Sequence, residues 1–275
     1  MLVACIATLL IAALLWRIVQ QAGPALWRSA ARLWDFLSRS ALADRARQVP
    51  LLRGAFARTL NVWRYLGMHA LVSFVIALAA FVVFAEIADS IGAGEALAAF
   101  DKQLAASLRA HVGYGTLQAF AVITRLGNPP LLIGIGIAVA LYLAWRKWWI
   151  EAAIWVLVTG LGGLLIAVLK AYFERTRPIH DQALIKAAGW SFPSGHASGA
   201  MFVYGMLGYF AIRHAPRAWH IPIALAAIVT IVFVGFSRVI LQVHYLSDVL
   251  GGFAAAGAWL ALCVAALEAI RRRRA

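Results

Sequence analysis

Long apolar runs, closed at their ends by short clusters of charge, repeat along most of this chain. Runs at 66–87, 129–145, 150–169, 197–212, 221–236 and 245–267 show no strand-like alternation. A helix rises 1.5 Å per residue, so about 20 apolar residues cross a hydrocarbon layer of about 30 Å. Lipid offers exposed backbone no hydrogen-bond partner, which leaves helices or a closed barrel, and runs of this kind specify helices. The pattern predicts an all-α, polytopic membrane helix bundle with six core transmembrane helices. A seventh run at 2–15 is read as a short or tilted N-terminal helix rather than a secretion signal, because no positive charge precedes it and no convincing cleavage site follows. Gly160, Gly162 and Gly163 predict close helix approach within the 150–169 run.

The polar stretches predict interfacial helices. Arg28, Arg32, Arg39, Arg45, Arg47, Arg53, Arg58 and Arg64 face only Asp35 and Asp44, while Leu26, Trp27, Ala30, Leu33, Trp34 and Leu37 recur beside them at helical spacing. Such segments lie along an anionic membrane surface. Between 89 and 115, Phe100, Leu104 and Leu108 form one face with Asp101, Lys102 and Arg109 elsewhere, predicting an amphipathic helix on the outer surface. Residues 117–126 are read as the outer approach to the 129–145 span, divided from it by Gly127-Asn128-Pro129-Pro130. Trp145, Trp148 and Trp149 around Arg146-Lys147 read as an interfacial belt. The organisation is therefore an N-terminal helix and basic segment (1–65), a membrane-embedded core (66–270) and a basic cytoplasmic tail (271–275).

Composition sharpens this. With 64% apolar residues and a mean hydropathy of +0.84, a soluble globular domain is excluded. A net charge of +14 would suggest nucleic acid in a soluble protein. Here the charge is topological and no nucleic-acid partner is expected. Segment 17–64, Arg146-Lys147, Arg213, Arg217 and 271–274 fall on one side of the bundle and hold 17 of the 25 Lys+Arg, so that side is the cytoplasm. Alternation then puts 170–196 and 238–248 on the opposite face. Cys5 and Cys263 stand far apart in apolar runs and read as small buried residues.

On the outer face, three blocks of ionisable residues stand at the ends of apolar runs, where charge must be solvated, paired or functional. Lys170 and Arg177-Pro178 form the first, Pro193-Ser194-Gly195-His196 the second, and Ser237-Arg238 with His244 and Asp248 the third. Pro, Ser and Gly suit a helix start, whose unpaired N–H groups attract an anion, and His196 falls in the first turn. His244 and Asp248, four residues apart, share one helix face.

Those blocks, in that order and spacing, resemble the tripartite signature of the type-2 phosphatidic acid phosphatases, membrane lipid phosphatases related to vanadium haloperoxidases. The resemblance covers 170–248 by motif and 66–267 by hydropathy, and residues 1–65 lie outside it. It implies that Lys170, Arg177 and Arg238, with the backbone N–H groups of Ser194 and Gly195, clamp a phosphate. Asp248 would hold His244 in one tautomer so that the other ring nitrogen attacks phosphorus, and His196 would protonate the departing oxygen and then activate water. Cations then do the work of a metal, and no metal or cofactor is expected. Ser198, Tyr245 and Trp190 read as packing or rim residues; His69, His111, His214 and His220 as interfacial or loop residues; and His180 and Asp181 as headgroup neighbours.

The expected activity is a phosphatase acting at the outer leaflet of the bacterial cytoplasmic membrane on a phosphorylated or pyrophosphorylated lipid. Undecaprenyl pyrophosphate is the favoured substrate, with phosphatidic acid, phosphatidylglycerophosphate and lipid A as alternatives. A transporter or translocase is the rival reading, but ionisable groups on a transport path belong near mid-membrane rather than at helix ends on one face. A catalytically dead relative serving a structural role would not need His196, His244 and Asp248 intact. The pattern leaves oligomeric state open.

Overall fold

The computed structural model describes residues 72–92, 95–178, 184–185 and 187–274, with side chains as far as Arg271. All of them belong to the unit Leu66–Ala275. The expected 2–15 helix, the arginine-rich segment, His69, His180 and Asp181 lie outside the described residues.

Every regular element among the described residues is helical. In chain order these are α1 (Val72–Asp89), α2 (Ala96–His111), α3 (Tyr114–Ile123), α4 (Pro129–Trp145), α5 (Trp149–Phe173), α6 (195–214), α7 (His220–Ile240) and α8 (Leu246–Arg274). A 3-10 turn, Thr124–Gly127, joins α3 to α4, where Pro129 and Pro130 take the first helical positions and need no N–H partner. Five stretches are long and apolar enough to cross a membrane: Val72–Asp89, Tyr114–Trp145, Trp149–Phe173, Arg217–Ile240 and Leu246–Arg271.

The expected 197–212 span is helical throughout but is not one of those five. The reason is its place in the bundle. Helix α6 touches α4, α5, α7 and α8, and Ala197, Ser198, Ala200, Phe202, Val203, Met206, Gly208 and Phe210 are all buried. Hydropathy marks what faces lipid, and a helix enclosed by others can carry glycine, serine and tyrosine. The outer surface accordingly shows Phe74, Phe81, Ile133, Leu141, Leu164 and Val168, while Trp155, Phe202, Met206 and Leu267 fill the core.

Three local expectations are corrected. A Cβ on Gly162 would meet the Phe202 ring at 2.9 Å, but Gly160 and Gly163 have nothing within 4 Å, so one glycine of the three makes the close approach. Trp148 leaves the aromatic belt: it packs on the core and stacks on His214 at 4.5 Å, whereas Trp145 and Trp149 stay exposed. On α2, Leu104 and Leu108 pack inward as expected, yet Phe100 is exposed and Asp101 is buried. Helical spacing alone assigns those two the other way round, because Asp101 has a buried partner that lies far away in sequence.

Candidate active site

Four helix ends converge on one side of the bundle: the last turn of α5, the first of α6, the last of α7 and the first of α8. Ser194 is the N-cap of α6, and its backbone N–H donates to the Asp248 carbonyl at 2.9 Å, tying the start of α6 to the start of α8. Gly252 permits this approach, since a Cβ there would stand 2.9 Å from the Ser194 carbonyl oxygen. After α7 the chain reverses sharply. The N–H groups of Val243 and His244 both donate to the Arg238 carbonyl, at 3.1 and 3.3 Å, with Gln242 at φ +58°. The five residues between Arg238 and His244 are thus the length of a turn that returns the His244 backbone to the Arg238 carbonyl, and both residues line one cavity.

His244 is 3% exposed. Its Nδ1 lies 3.3 Å from Asp248 Oδ2, and its Nε2 lies 3.0 Å from Arg177 Nη1. Burial pulls its pKa down to about 4, against the raising influence of Asp248. The ring is therefore neutral at neutral pH. With the Nδ1 proton directed at the carboxylate, Nε2 accepts from Arg177 Nη1 through its lone pair and is the ring's nucleophilic atom. Asp248 is itself fully engaged: Oδ2 accepts from the Tyr245 N–H at 2.8 Å and from the Ser191 hydroxyl, and Oδ1 accepts from Arg175 Nη1 at 2.7 Å.

Arg175 is the bridge that the sequence patterns did not single out. Its Nη2 donates to Asp101 Oδ2 at 2.9 Å, Nη1 also reaches the Ser247 hydroxyl at 2.6 Å, and the guanidinium lies 4.6 Å from the Tyr245 ring centre. Two carboxylates with wholly buried side chains thus share one guanidinium.

The predicted cations come together. Arg177 is wrapped by the 188–190 loop, donating to the carbonyls of Ala188, Gly189 and Trp190 at 2.9–3.2 Å, with Gly189 at φ +73° making the bend. Burial lowers the Arg177 pKa from its usual value. Lys170 Nζ donates to the Trp190 carbonyl at 2.6 Å, and Arg238 Nη1 donates to Thr124 Oγ1 at 2.8 Å. The Arg238 Nε is buried with no partner among the described residues. His196 Nε2 donates to Asn128 Oδ1 at 3.0 Å. These groups open onto one cavity of about 770 Å³, lined by Arg125, Lys170, Arg177, Gly195, His196, Arg238 and His244, among others, and by no carboxylate among the described residues. Val122, Leu184 and Ile185 add an apolar side to it.

One expected donor is withdrawn. The Ser194 N–H is already given to Asp248, and the residue is wholly buried, so of the pair only Gly195 reaches the cavity. Ser198 packs, as its burial and its bonds to the Ser194 and Gly252 carbonyls require. Trp190 is a rim residue whose carbonyl, not its ring, serves the site. Sequence reasoning missed Asp101, Thr124, Asn128, Arg175 and Ser191. Only Arg175, an additional cation two residues ahead of Arg177, left a local trace.

The PAP2 superfamily model matches residues 151–272. Phosphatidylglycerophosphatase B of Bacillus subtilis is 41% identical over 138 residues, covering 48% of this chain and 65% of that protein. The lipid A 1-phosphatase of Rhizobium johnstonii is 34% identical over 139 residues, covering 46% of this chain and 50% of the relative. The matches thus span half to two thirds of these relatives. A crystal structure described as the first transmembrane PAP2 type phosphatidylglycerolphosphate phosphatase, from Bacillus subtilis, superposes with a TM-score of 0.60 at 32% identity, covering 72% of this chain and 96% of that one.

Proposed function

We propose that this chain, which belongs to the PAP2 superfamily, is an integral membrane phosphatase that hydrolyses a lipid phosphate or diphosphate through a phosphohistidine. One observation carries the reading: His244, backed at Nδ1 by Asp248, lines a cavity that also holds Lys170, Arg177, Arg238 and His196. In the first step Nε2 attacks phosphorus and the bond to the lipid oxygen breaks, with His196 giving that oxygen a proton. Lys170, Arg177 and Arg238 neutralise the charge spread over the nonbridging oxygens. In the second step His196 takes a proton from water, whose oxygen attacks the phosphohistidine and releases orthophosphate.

Within this class, undecaprenyl pyrophosphate fits a site on the outer face of the bacterial cytoplasmic membrane. Phosphatidylglycerophosphate and lipid A, the substrates named in the relatives, present the same phosphate chemistry. Phosphate release by the purified chain from this panel and from phosphatidic acid ranks the substrates. Rapid quench with labelled substrate should trap acid-labile phosphoenzyme in wild type and none in His244→Ala. Wild-type rates in His244→Ala would refute the mechanism, and lipid movement without phosphate release would favour a translocase.

A further inference from the structure

The cavity holds one cation more than a single phosphoryl group uses. Arg125 lines it together with Lys170, Arg177 and Arg238, yet it belongs to none of the three motif blocks. The other three are committed: Lys170 and Arg177 to loop carbonyls and Arg238 to Thr124. The Arg125 guanidinium has no hydrogen-bond or ion-pair partner among the described residues. It nevertheless stands on a rigid turn, because Thr124 and Gly127 of the same 3-10 helix are buried and a Cβ on Gly127 would meet Val234 at 2.4 Å and His196 at 3.0 Å.

The turn also fixes which side of the reaction Arg125 serves. The Asn128 N–H donates to the Arg125 carbonyl at 3.1 Å, and in a 3-10 turn residues i and i+3 lie over one another. Arg125 and Asn128 therefore share a side, and Asn128 is the residue that holds His196. An in-line displacement puts nucleophile and leaving group on opposite sides of phosphorus, so a residue beside His196 is beside the departing oxygen, away from His244.

We infer that Arg125 binds a second phosphate carried by the leaving group, which makes lipid diphosphates the preferred substrate class over lipid monophosphates. This rests on the phosphatase reading above. For a diphosphate, His244 Nε2 attacks the terminal phosphorus, the bond to the bridging oxygen breaks, and the departing lipid monophosphate takes its proton from His196 with its charge against Arg125. The charge count agrees. Among the described residues, four cations and no carboxylate line the cavity, which overmatches a dianionic monoester but suits the extra charge of a diphosphate.

The test uses two probes with the same tail, farnesyl diphosphate and farnesyl monophosphate, and the full chain purified in detergent. The readout is the ratio of their kcat/KM values. Arg125→Gln should lower that ratio about tenfold, the size of one charge-assisted contact, and Arg125→Lys should recover most of it. Because each variant is compared with itself on two substrates, partial misfolding cancels. An unchanged ratio in Arg125→Gln, with wild type active on both probes, overturns the role of Arg125 while leaving the phosphatase reading intact. A wild-type protein that releases phosphate from neither probe nor from any lipid of the panel overturns both.

Discussion

Replacing Arg175 by methionine should damage this protein more than replacing any single surface cation, and a second substitution should partly repair it. The Asp101 and Asp248 side chains are 0% exposed and Arg175 12%, with contacts of 2.9 and 2.7 Å. Methionine preserves much of the volume but leaves two buried carboxylates without a countercharge. Breaking a buried pair from one side costs about 3–5 kcal/mol, because the remaining charge is neither solvated nor neutralised. The chain would escape part of this cost by protonating one carboxylate. If that one is Asp248, His244 loses the acceptor that orients it, and turnover falls by roughly 10³–10⁴. Adding Asp101→Asn to Arg175→Met removes the surplus charge and leaves Asp248 with the Tyr245 N–H, Ser191 and His244 alone. The double variant should recover about 2 kcal/mol relative to additivity. Thermal unfolding in detergent and phosphate release measure the two effects separately. A double variant no better than Arg175→Met in either measurement would refute the claim that the two carboxylates share one guanidinium.

The remaining expectations concern pH, packing and sidedness. The folded pKa of His244, about 4 against 6.5, lies below its unfolded value, so its contribution to stability is complete above about pH 6.5 and is lost as pH falls toward about 4. That amounts to about 3 kcal/mol. His244→Gln should therefore unfold with a visibly weaker pH dependence between about pH 7 and 4.5, and identical curves would show that burial does not depress this histidine. Gly252→Ala puts a Cβ 2.9 Å from the Ser194 carbonyl and should cost about 1–3 kcal/mol, whereas Gly163→Ala meets open space and should stay within about 0.5. Equal unfolding midpoints for the two would contradict the α6–α8 crossing. In a background lacking Cys5 and Cys263, a cysteine at Leu184 should react with an impermeant thiol reagent in outer-permeabilised cells, and one at Arg217 should react only after lysis. The reverse pattern would invert the orientation and remove outward-facing carrier lipid as substrate.

Local pattern alone specifies a helical membrane protein and the residues proposed to carry phosphate chemistry. Hydrophobic runs are a local property imposed by lipid thickness, and motif spacing is a local property imposed by turn length. Arg238 and His244 are brought together by a five-residue reversal, and His244 and Asp248 by one helical turn, so their relation is legible in the spacing alone. That of Asp101, Arg175, Ser191 and Asn128 is not, because each gains its meaning from a partner across the bundle. Asp101 reads as a solvated helix residue until Arg175, 74 positions later, is seen to bury it. Ser194 reads as a phosphate donor until the Asp248 carbonyl is found in its way. The apolarity of α6 likewise depends on neighbours, since burial among other helices relieves a segment of the hydropathy that lipid demands. The protonation state of His244 also belongs to the tertiary structure, because it follows from how much water the packed helix ends exclude.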